Sequence, residues 1–191
     1  MKLFALPRIS LFAFVLGTGF LLNGAYIPAK AWVAQVLLDT AWDRRLAGAA
    51  DSRPWPWADT MPLARLRQPR LGVDQIVLEG ASGRTLAFGP GHIPGSARPG
   101  EAGNVVISGH RDTHFRWLAR VQSGDELMLQ TDDGRNLRYR VAQTSVHHES
   151  DIALLDPLEG DQLRLLTCYP FETIAAGTPQ RYVVTALRSG A

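Results

Sequence analysis

Two patterns of hydrophobic and polar positions divide the chain. The first is an uncharged, largely apolar run from Ile9 to Ile27, nearly as long as the ~20 residues that a helix needs to span a bilayer. The second begins near Ala64, where short apolar runs rich in β-branched residues alternate with loops rich in glycine and proline. Together they predict an N-terminal transmembrane helix followed by an all-β domain, either a barrel or a sandwich.

The charges around the apolar run predict its orientation. Lys2 and Arg8 precede it, so by the positive-inside rule we expect a cytoplasmic N-terminus and an exported remainder. A cleaved signal peptide, with Ala29-Lys30-Ala31 as its cleavage site, is the alternative. The apolar segment of a signal peptide is usually only ~7–15 residues long, so the length of this run favours a retained single-pass anchor.

The pattern after Ala64 predicts six strands and no long helix. Asp125–Thr131 and Leu137–Thr144 alternate in polarity and flank Asp-Asp-Gly-Arg, which predicts a hairpin. The other predicted strands are Val73–Leu78, Val105–Ser108, Gln162–Thr167 and Tyr182–Leu187. Thr113–Arg120 is the one short helix that we expect among them.

Two segments join the anchor to the β-rich region. Ala29–Gly48 has an apolar helical face and is interpreted as a juxtamembrane helix or a spacer. Ala49–Pro62 is rich in proline and is interpreted as an extended strap whose Trp55 and Trp57 pack on an apolar surface. The predicted organisation is therefore an anchor at residues 1–28, a helix and linker at 29–62, and an all-β domain at 63–191.

Composition narrows the function classes. The 191 residues carry a formal net charge of only +2 with scattered basic residues, which gives no electrostatic footprint for nucleic acid. Cys168 is the single cysteine, so an intramolecular disulfide is impossible. In an exported domain a lone thiol is either a buried core residue or a reactive group, and composition does not decide between them.

Polar residues at strand ends supply candidate chemistry. His110 directly follows Val105–Ser108 and Gly109, Cys168 directly follows Gln162–Thr167, and Arg181 precedes the last strand. A thiol that attacks an acyl group needs a base or cation beside it and a donor for the developing oxyanion, which a histidine and an arginine can supply. The positions suit a site at the mouth of a barrel.

The sequences around these three residues resemble the sortase family. Ser-Gly-His110-Arg-Asp-Thr, Leu-Leu-Thr-Cys168-Tyr-Pro-Phe and Pro-Gln-Arg181-Tyr-Val-Val are similar to the sortase His, Cys and Arg motifs and occur in the family order. The resemblance runs from about Ala64 to Leu187. The Pro-Trp-Pro-Trp linker and the Cys-Tyr-Pro-Phe sequence further resemble the proteobacterial class GN, or marine, branch, close to class D-like sortases.

The resemblance implies a closed β-barrel of about eight strands and a two-step transpeptidation. Cys168 would attack an LPxTG-like sorting signal of an exported protein and form a thioacyl enzyme, which an amine of unknown identity resolves. His110 would move the proton, and Arg181 would hold the oxyanion or the substrate backbone. Thr167 would add a hydrogen bond near the oxyanion. The enzyme would stand on the outer face of the bacterial inner membrane.

The resemblance also places supporting residues and shows one departure. The loop after His148, which carries Leu154 and Leu155, would form an apolar wall of the groove. The segment Tyr169–Pro179 would form the other wall, with Tyr169 as its first residue. Asp112 is a candidate to orient His110. Arg164 occupies a position where sortases often carry threonine, on the strand face that also bears Cys168.

Other readings of the same residues remain open. The five histidines (His92, His110, His114, His147 and His148) show no metal-binding spacing, so no metal or cofactor is predicted, and His114, His147 and His148 are interpreted as loop residues. An L,D-transpeptidase-like envelope enzyme would also use Cys and His, although its motif places them closer together. A non-catalytic, membrane-tethered binding module with a buried thiol is the second alternative.

Overall fold

The computed structural model describes residues 24, 26, 29–156, 160–173 and 177–190. The chain divides into two compact units, residues 1–36 and 37–191. Residues 24, 26 and 29–36 of the first unit are helical. Nearly all of the apolar run from Ile9 to Ile27 lies outside the described residues, so the transmembrane helix stays a prediction. Over the residues that are described, no helix combines the length and the apolar character that crossing a membrane requires.

Eight strands of the second unit close into a barrel. Neighbouring strands follow the order β1-β2-β3-β4-β7-β8-β6-β5, and β5 pairs with β1 to complete the ring. The strands are β1 (Pro62–Gln68), β2 (Val73–Glu79), β3 (Gly91–His92), β4 (Asn104–Ser108), β5 (Glu126–Thr131), β6 (Asn136–His148), β7 (Gln162–Tyr169) and β8 (Gln180–Arg188). The closed all-β fold predicted from the resemblance is confirmed.

The barrel core follows from alternation along the strands. In β5 the residues Leu127 and Leu129 are fully buried, whereas their neighbours Glu126 and Met128 are more accessible. Successive side chains of a strand point to opposite faces, so the apolar positions fill the interior and the polar ones face outward. The interior also holds Phe115 and residues from β1, β2, β4, β6, β7 and β8.

The predicted hairpin is confirmed, and most strands are longer than predicted. β5 and β6 pair from Glu126↔Arg140 to Gln130↔Asn136. β6 then extends to His148, because its second half pairs with β8 after its first half has paired with β5. His147 and His148 therefore belong to a strand, and their interpretation as loop residues was wrong.

In the described part of the second unit, the longest helix stands at its start. Residues 37–46 are helical and form α1. α2 covers Gly83–Leu86, where the side chain of Ser82 caps the first turn. Short 3-10 helices occur at Pro69–Leu71, Arg116–Arg120 and Ile152–Leu155. The helix expected at Thr113–Arg120 is thus present only in its second half, as a 3-10 helix.

Helix α1 belongs to the same compact unit as the barrel. Its Leu38 and Trp42 are 1% exposed and form an apolar cluster with Ile76 and Leu78 of β2. The compact unit begins at Leu37, where this helical face packs on the outside of β2, and the domain boundaries inferred from the sequence stay a prediction. The helical segment ends before Gly48, whose φ of 84° suits a glycine after a helix.

The proline-rich strap packs through one of its two tryptophans. The ring of Trp55 meets that of Phe88 edge to face, with ring centroids 4.9 Å apart. The predicted packing is confirmed for Trp55. It was wrong for Trp57, which is 81% exposed.

Candidate active site

Strand pairing brings Cys168 and Arg181 together. Cys168 is the penultimate residue of β7, and in the antiparallel pairing of β7 with β8 its partner is Arg181. Directly opposite residues of an antiparallel pair project from the same face, with Cα atoms only ~4.5–5.5 Å apart. The sequence places these residues at two strand ends, and the antiparallel register makes them neighbours.

The parallel neighbour of β7 brings His110 to the same level. In the pairing of β4 with β7, Ser108 is the partner of Leu166. The amide of Gly109 then donates to the carbonyl of Leu166 at 3.1 Å, which extends the pairing one residue beyond β4. Because both strands run in the same direction, the next residue, His110, lies at the level of Cys168. We call His110, Cys168 and Arg181 the His–Cys–Arg row.

The row lies on the outer face of the barrel. Leu165 and Val184 point into the core, whereas Leu166 and Val183 belong to a separate outer apolar cluster. Side chains two positions apart share a face, so Cys168 and Arg181 project outward beside that cluster. Cys168 is partly accessible and His110 is exposed, so solvent or a substrate can reach both.

The loop that carries His110 closes on its own backbone. The amide of Phe115 donates to the His110 carbonyl at 2.9 Å, and the Phe115 ring is fully buried in the barrel. A Cβ atom at Gly109 would lie 2.8 Å from that ring. Glycine at 109 is therefore required for the ring to pack beneath the turn, and the packed ring fixes where His110 leaves the sheet.

Arg181 is held by groups on both sides of it. Its Nη2 donates to Oε2 of Glu149 at 2.7 Å, and its Nη1 donates to the Thr178 carbonyl at 2.5 Å. Side chains of this pair are 27% and 48% exposed, so water screens their attraction. The contacts set the orientation of the guanidinium next to Cys168, and they tie it to the segment that follows β6.

Arg111 was missed by the sequence interpretation. It is only 6% exposed, and its Nη1 and Nη2 donate to the carbonyls of Pro170 and Thr173, each at 2.9 Å. The residue after His110 is thus bonded to the segment that follows Cys168. A buried arginine is rare unless it is paired or hydrogen-bonded, but from sequence alone Arg111 resembles any exposed loop arginine.

One wall of the outer face is the segment 149–156, which we call the wall segment. It contains the 3-10 helix Ile152–Leu155, whose Leu154 packs with Val106, Leu166 and Val183 while Leu155 lies partly buried against them. Ile152 is 76% exposed. Leu154 and Leu155 thus lie where the resemblance predicted an apolar wall.

The other predicted supporting residues have different surroundings. Tyr169 stacks on Tyr182 with ring centroids 6.1 Å apart, on the strand face opposite Cys168. Thr167 is 2% exposed and donates to the Gly109 carbonyl at 2.7 Å. Asp112 accepts a hydrogen bond from Arg111 at 3.3 Å and is largely exposed. Their roles in catalysis stay predictions, as does the second wall at Tyr169–Pro179, of which residues 174–176 are outside the described ranges.

The remaining histidines lie in several environments. Burial lowers the pKa of His92 and of His114 below the ordinary value of 6.5. His147 bonds through Nε2 to Ser145 and through Nδ1 to Asp151, each at 2.8 Å. Across residues 29–156, 160–173 and 177–190, no three His, Cys, Asp or Glu side chains are grouped as metal ligands.

The chain is similar to known proteins in both sequence and fold. A family model described as a Sortase domain matches residues 66–189. Sortase D of Bacillus subtilis is 33% identical over 124 residues, which cover 64% of this chain and 62% of that protein, so the match spans less than two thirds of the relative. Sortase A from Corynebacterium diphtheriae has a TM-score of 0.63 and 26% identity, covering 83% of this chain and 85% of that one. A Clostridium perfringens Sortase D5 transpeptidase has a TM-score of 0.61 and 25% identity, and the match covers 80% of this chain and 89% of that one.

Proposed function

Because the chain belongs to the sortase family, we propose that it is a membrane-anchored cysteine transpeptidase with Cys168 as its nucleophile. The observation that carries the proposal is the His–Cys–Arg row, which three adjacent strands present on one accessible face. A buried, inert thiol would lie in the barrel core, whereas Cys168 is partly accessible and faces outward. This position argues against the non-catalytic alternative.

The proposed substrate is an LPxTG-like sorting signal at the end of an exported protein. Sγ of Cys168 attacks the threonine carbonyl, and the C–N bond to glycine breaks as His110 gives a proton to the departing amine. The thioacyl enzyme is then attacked by a second amine, which loses its proton to His110 and releases the Cys168 thiolate. Each step conserves atoms and charge without a cofactor.

Arg181 supplies donors beside the reacting carbon. Two of its nitrogens are engaged by Glu149 and the Thr178 carbonyl, and these contacts hold the guanidinium before substrate arrives. Donors fixed in advance need no reorganisation when negative charge develops on the carbonyl oxygen. Arg181 therefore stabilises the oxyanion or holds the backbone of the sorting signal.

We place the catalytic domain on the outer face of the bacterial inner membrane. The support is the uncharged run from Ile9 to Ile27 with Lys2 and Arg8 before it. The Pro-Trp-Pro-Trp linker and Cys-Tyr-Pro-Phe sequence support the proteobacterial class GN branch, close to class D-like sortases. Tagging each end and testing its accessibility to a protease in spheroplasts checks the orientation, and protection of the C-terminal tag would contradict it.

Turnover of a quenched LPxTG-like peptide, with an amine as acceptor, tests the activity. We expect transfer product from the full-length chain, none from Cys168→Ala, and a strong decrease for Arg181→Ala. Arg140→Ala is the matched control, because Arg140 is an exposed arginine of the adjacent strand β6. Normal turnover by Cys168→Ala would contradict the proposal. Activity on muropeptides alone would favour the L,D-transpeptidase-like alternative.

A further inference from the structure

Arg164 lies on the same strand face as Cys168, beneath the wall segment. It precedes Cys168 by four residues of β7, so alternation puts both on the outer face, about 13 Å apart at ~3.3 Å per residue. The sequence departs here from the threonine that sortases often carry. The structure gives this arginine a definite contact, which a threonine side chain is too short to make.

Two strands hold the wall segment through one carbonyl. Nη1 of Arg164 donates to the Leu154 carbonyl at 2.7 Å, and Nδ2 of Asn104 donates to the same oxygen at 2.9 Å. Asn104 also reaches the Asp156 carbonyl at 3.2 Å. The last carbonyls of a helical turn have no partner within the turn, so these donors satisfy groups that the short 3-10 helix leaves open.

The contact requires a partly desolvated charge. Burial lowers the pKa of the Arg164 guanidinium, and attraction to Asp151 and Asp156 counteracts that effect. Within the described chain, the buried Nε of Arg164 has no hydrogen-bond partner. Burying a charged group with an unsatisfied donor is unfavourable, so its contact with the wall must offset part of this penalty.

The held turn presents an apolar edge. The side chain of Leu154 holds one side of the turn by packing with Val106, Leu166 and Val183. The carbonyl of Leu154 holds the other side by accepting hydrogen bonds from Arg164 and Asn104. Ile152, on the same turn, is 76% exposed. The backbone of the turn is thus anchored while one large apolar side chain remains available for contact.

We propose that Arg164, acting with Asn104, is a positioning residue that fixes the wall segment and so sets how tightly the groove holds the apolar residues of the sorting signal. The inference rests on the proposed function for its substrate. Arg164 acts through the wall and not on the reacting atoms, so its loss should raise KM and leave kcat and the reactivity of Cys168 nearly unchanged.

The test compares full-length wild type with Arg164→Thr, Arg164→Lys and the control Arg140→Thr. Hydrogen exchange is the first readout. The amides of Leu154 and Asp156 bond to Asp151 and Ala153 within the turn, and we expect them to exchange about tenfold faster in Arg164→Thr. Arg164→Lys, which keeps one charged donor, should fall between wild type and Arg164→Thr, and Arg140→Thr should match wild type.

Peptide kinetics are the second readout. In Arg164→Thr we expect a KM increase of about five- to tenfold, with kcat and the alkylation rate of Cys168 within about twofold of wild type. Unchanged amide exchange in Arg164→Thr would show that Arg164 does not fix the wall segment. Faster exchange with an unchanged KM would show that fixing the wall segment does not affect substrate binding. If wild type turns over no sorting peptide, the proposed function fails, and the exchange data still decide whether Arg164 fixes the wall segment.

Discussion

The hydroxyl of Thr167 donates a hydrogen bond of 2.7 Å to the backbone carbonyl of Gly109. This bond joins the residue before Cys168 to the residue before His110, and both ends are buried. It lies just beyond the last paired residues of β4 and continues the contact between the two strands. The relative position of His110 and Cys168 therefore depends on the hydroxyl of Thr167.

Replacing Thr167 by valine should loosen this junction. Valine keeps the shape of the side chain but leaves the buried Gly109 carbonyl without its donor, which typically costs about 1–3 kcal/mol. We expect the free energy of unfolding in urea to decrease by that amount and kcat to decrease about tenfold. Thr167→Ser, which keeps the hydroxyl, should retain most of the stability and most of kcat. Equal stability and turnover of Thr167→Val and wild type would contradict this expectation.

Arg111 should be needed for catalysis although it lies outside the row. Arg111→Met removes the two donors that bond to Pro170 and Thr173, so the loops after His110 and after Cys168 lose their shared support. We expect kcat to decrease about tenfold or more, with a smaller change in KM. Arg116→Met serves as the control, because Arg116 is an exposed arginine close by in the chain. A normal kcat for Arg111→Met would show that the two loops keep their places without it.

Trp42 and Trp57 should differ sharply in their effect on stability. Trp42 is 1% exposed in its cluster with Leu38, Ile76 and Leu78, so Trp42→Ala should decrease the free energy of unfolding by about 3–5 kcal/mol. Trp57 is 81% exposed, and Trp57→Ala should change it by less than about 0.5 kcal/mol. Chemical denaturation of both variants in the full-length chain measures the difference. Similar effects would mean that α1 does not stabilise the barrel.

Acidification should destabilise the fold through His92. Burial lowers the pKa of His92 below 6.5, while hydrogen bonding to the Ala97 carbonyl counteracts this effect. The unfolded chain therefore binds more protons than the folded chain once the pH falls below about 6.5, and stability decreases from there towards the lower folded pKa. Above about pH 6.5 this contribution to stability is fully present.

His92→Gln isolates that contribution. Glutamine does not titrate and can place an amide donor near the Ala97 carbonyl, which lies 2.9 Å from Nε2 of His92. We expect the decrease in melting temperature between pH 7.5 and pH 5.5 to be smaller in His92→Gln than in wild type. Because burial also lowers the pKa of His114, part of the decrease should remain. An identical decrease in melting temperature in both proteins would show that His92 does not contribute to the loss of stability at low pH.

Some strands could not be found from local sequence. β1 (Pro62–Gln68) starts with a proline and carries Arg65, Arg67 and Gln68, so its pattern is weak on its own, yet it closes the barrel between β2 and β5. β3 (Gly91–His92) is two residues within a loop rich in glycine and proline, and only pairing with β2 and β4 makes it a strand. Both depend on partners that are distant in the chain.

The sequence pattern by itself determined a strand-rich domain and the strand ends that carry His110, Cys168 and Arg181, and the closed barrel was predicted only from the family resemblance. Alternation, β-branched residues and turn residues are local, so they can be read without partners. Only the tertiary structure decided that these ends lie side by side on the outer face, because register is a property of paired strands. It also decided the parts of Arg111, Arg164 and Trp42, whose significance lies in burial and in the distant groups they contact.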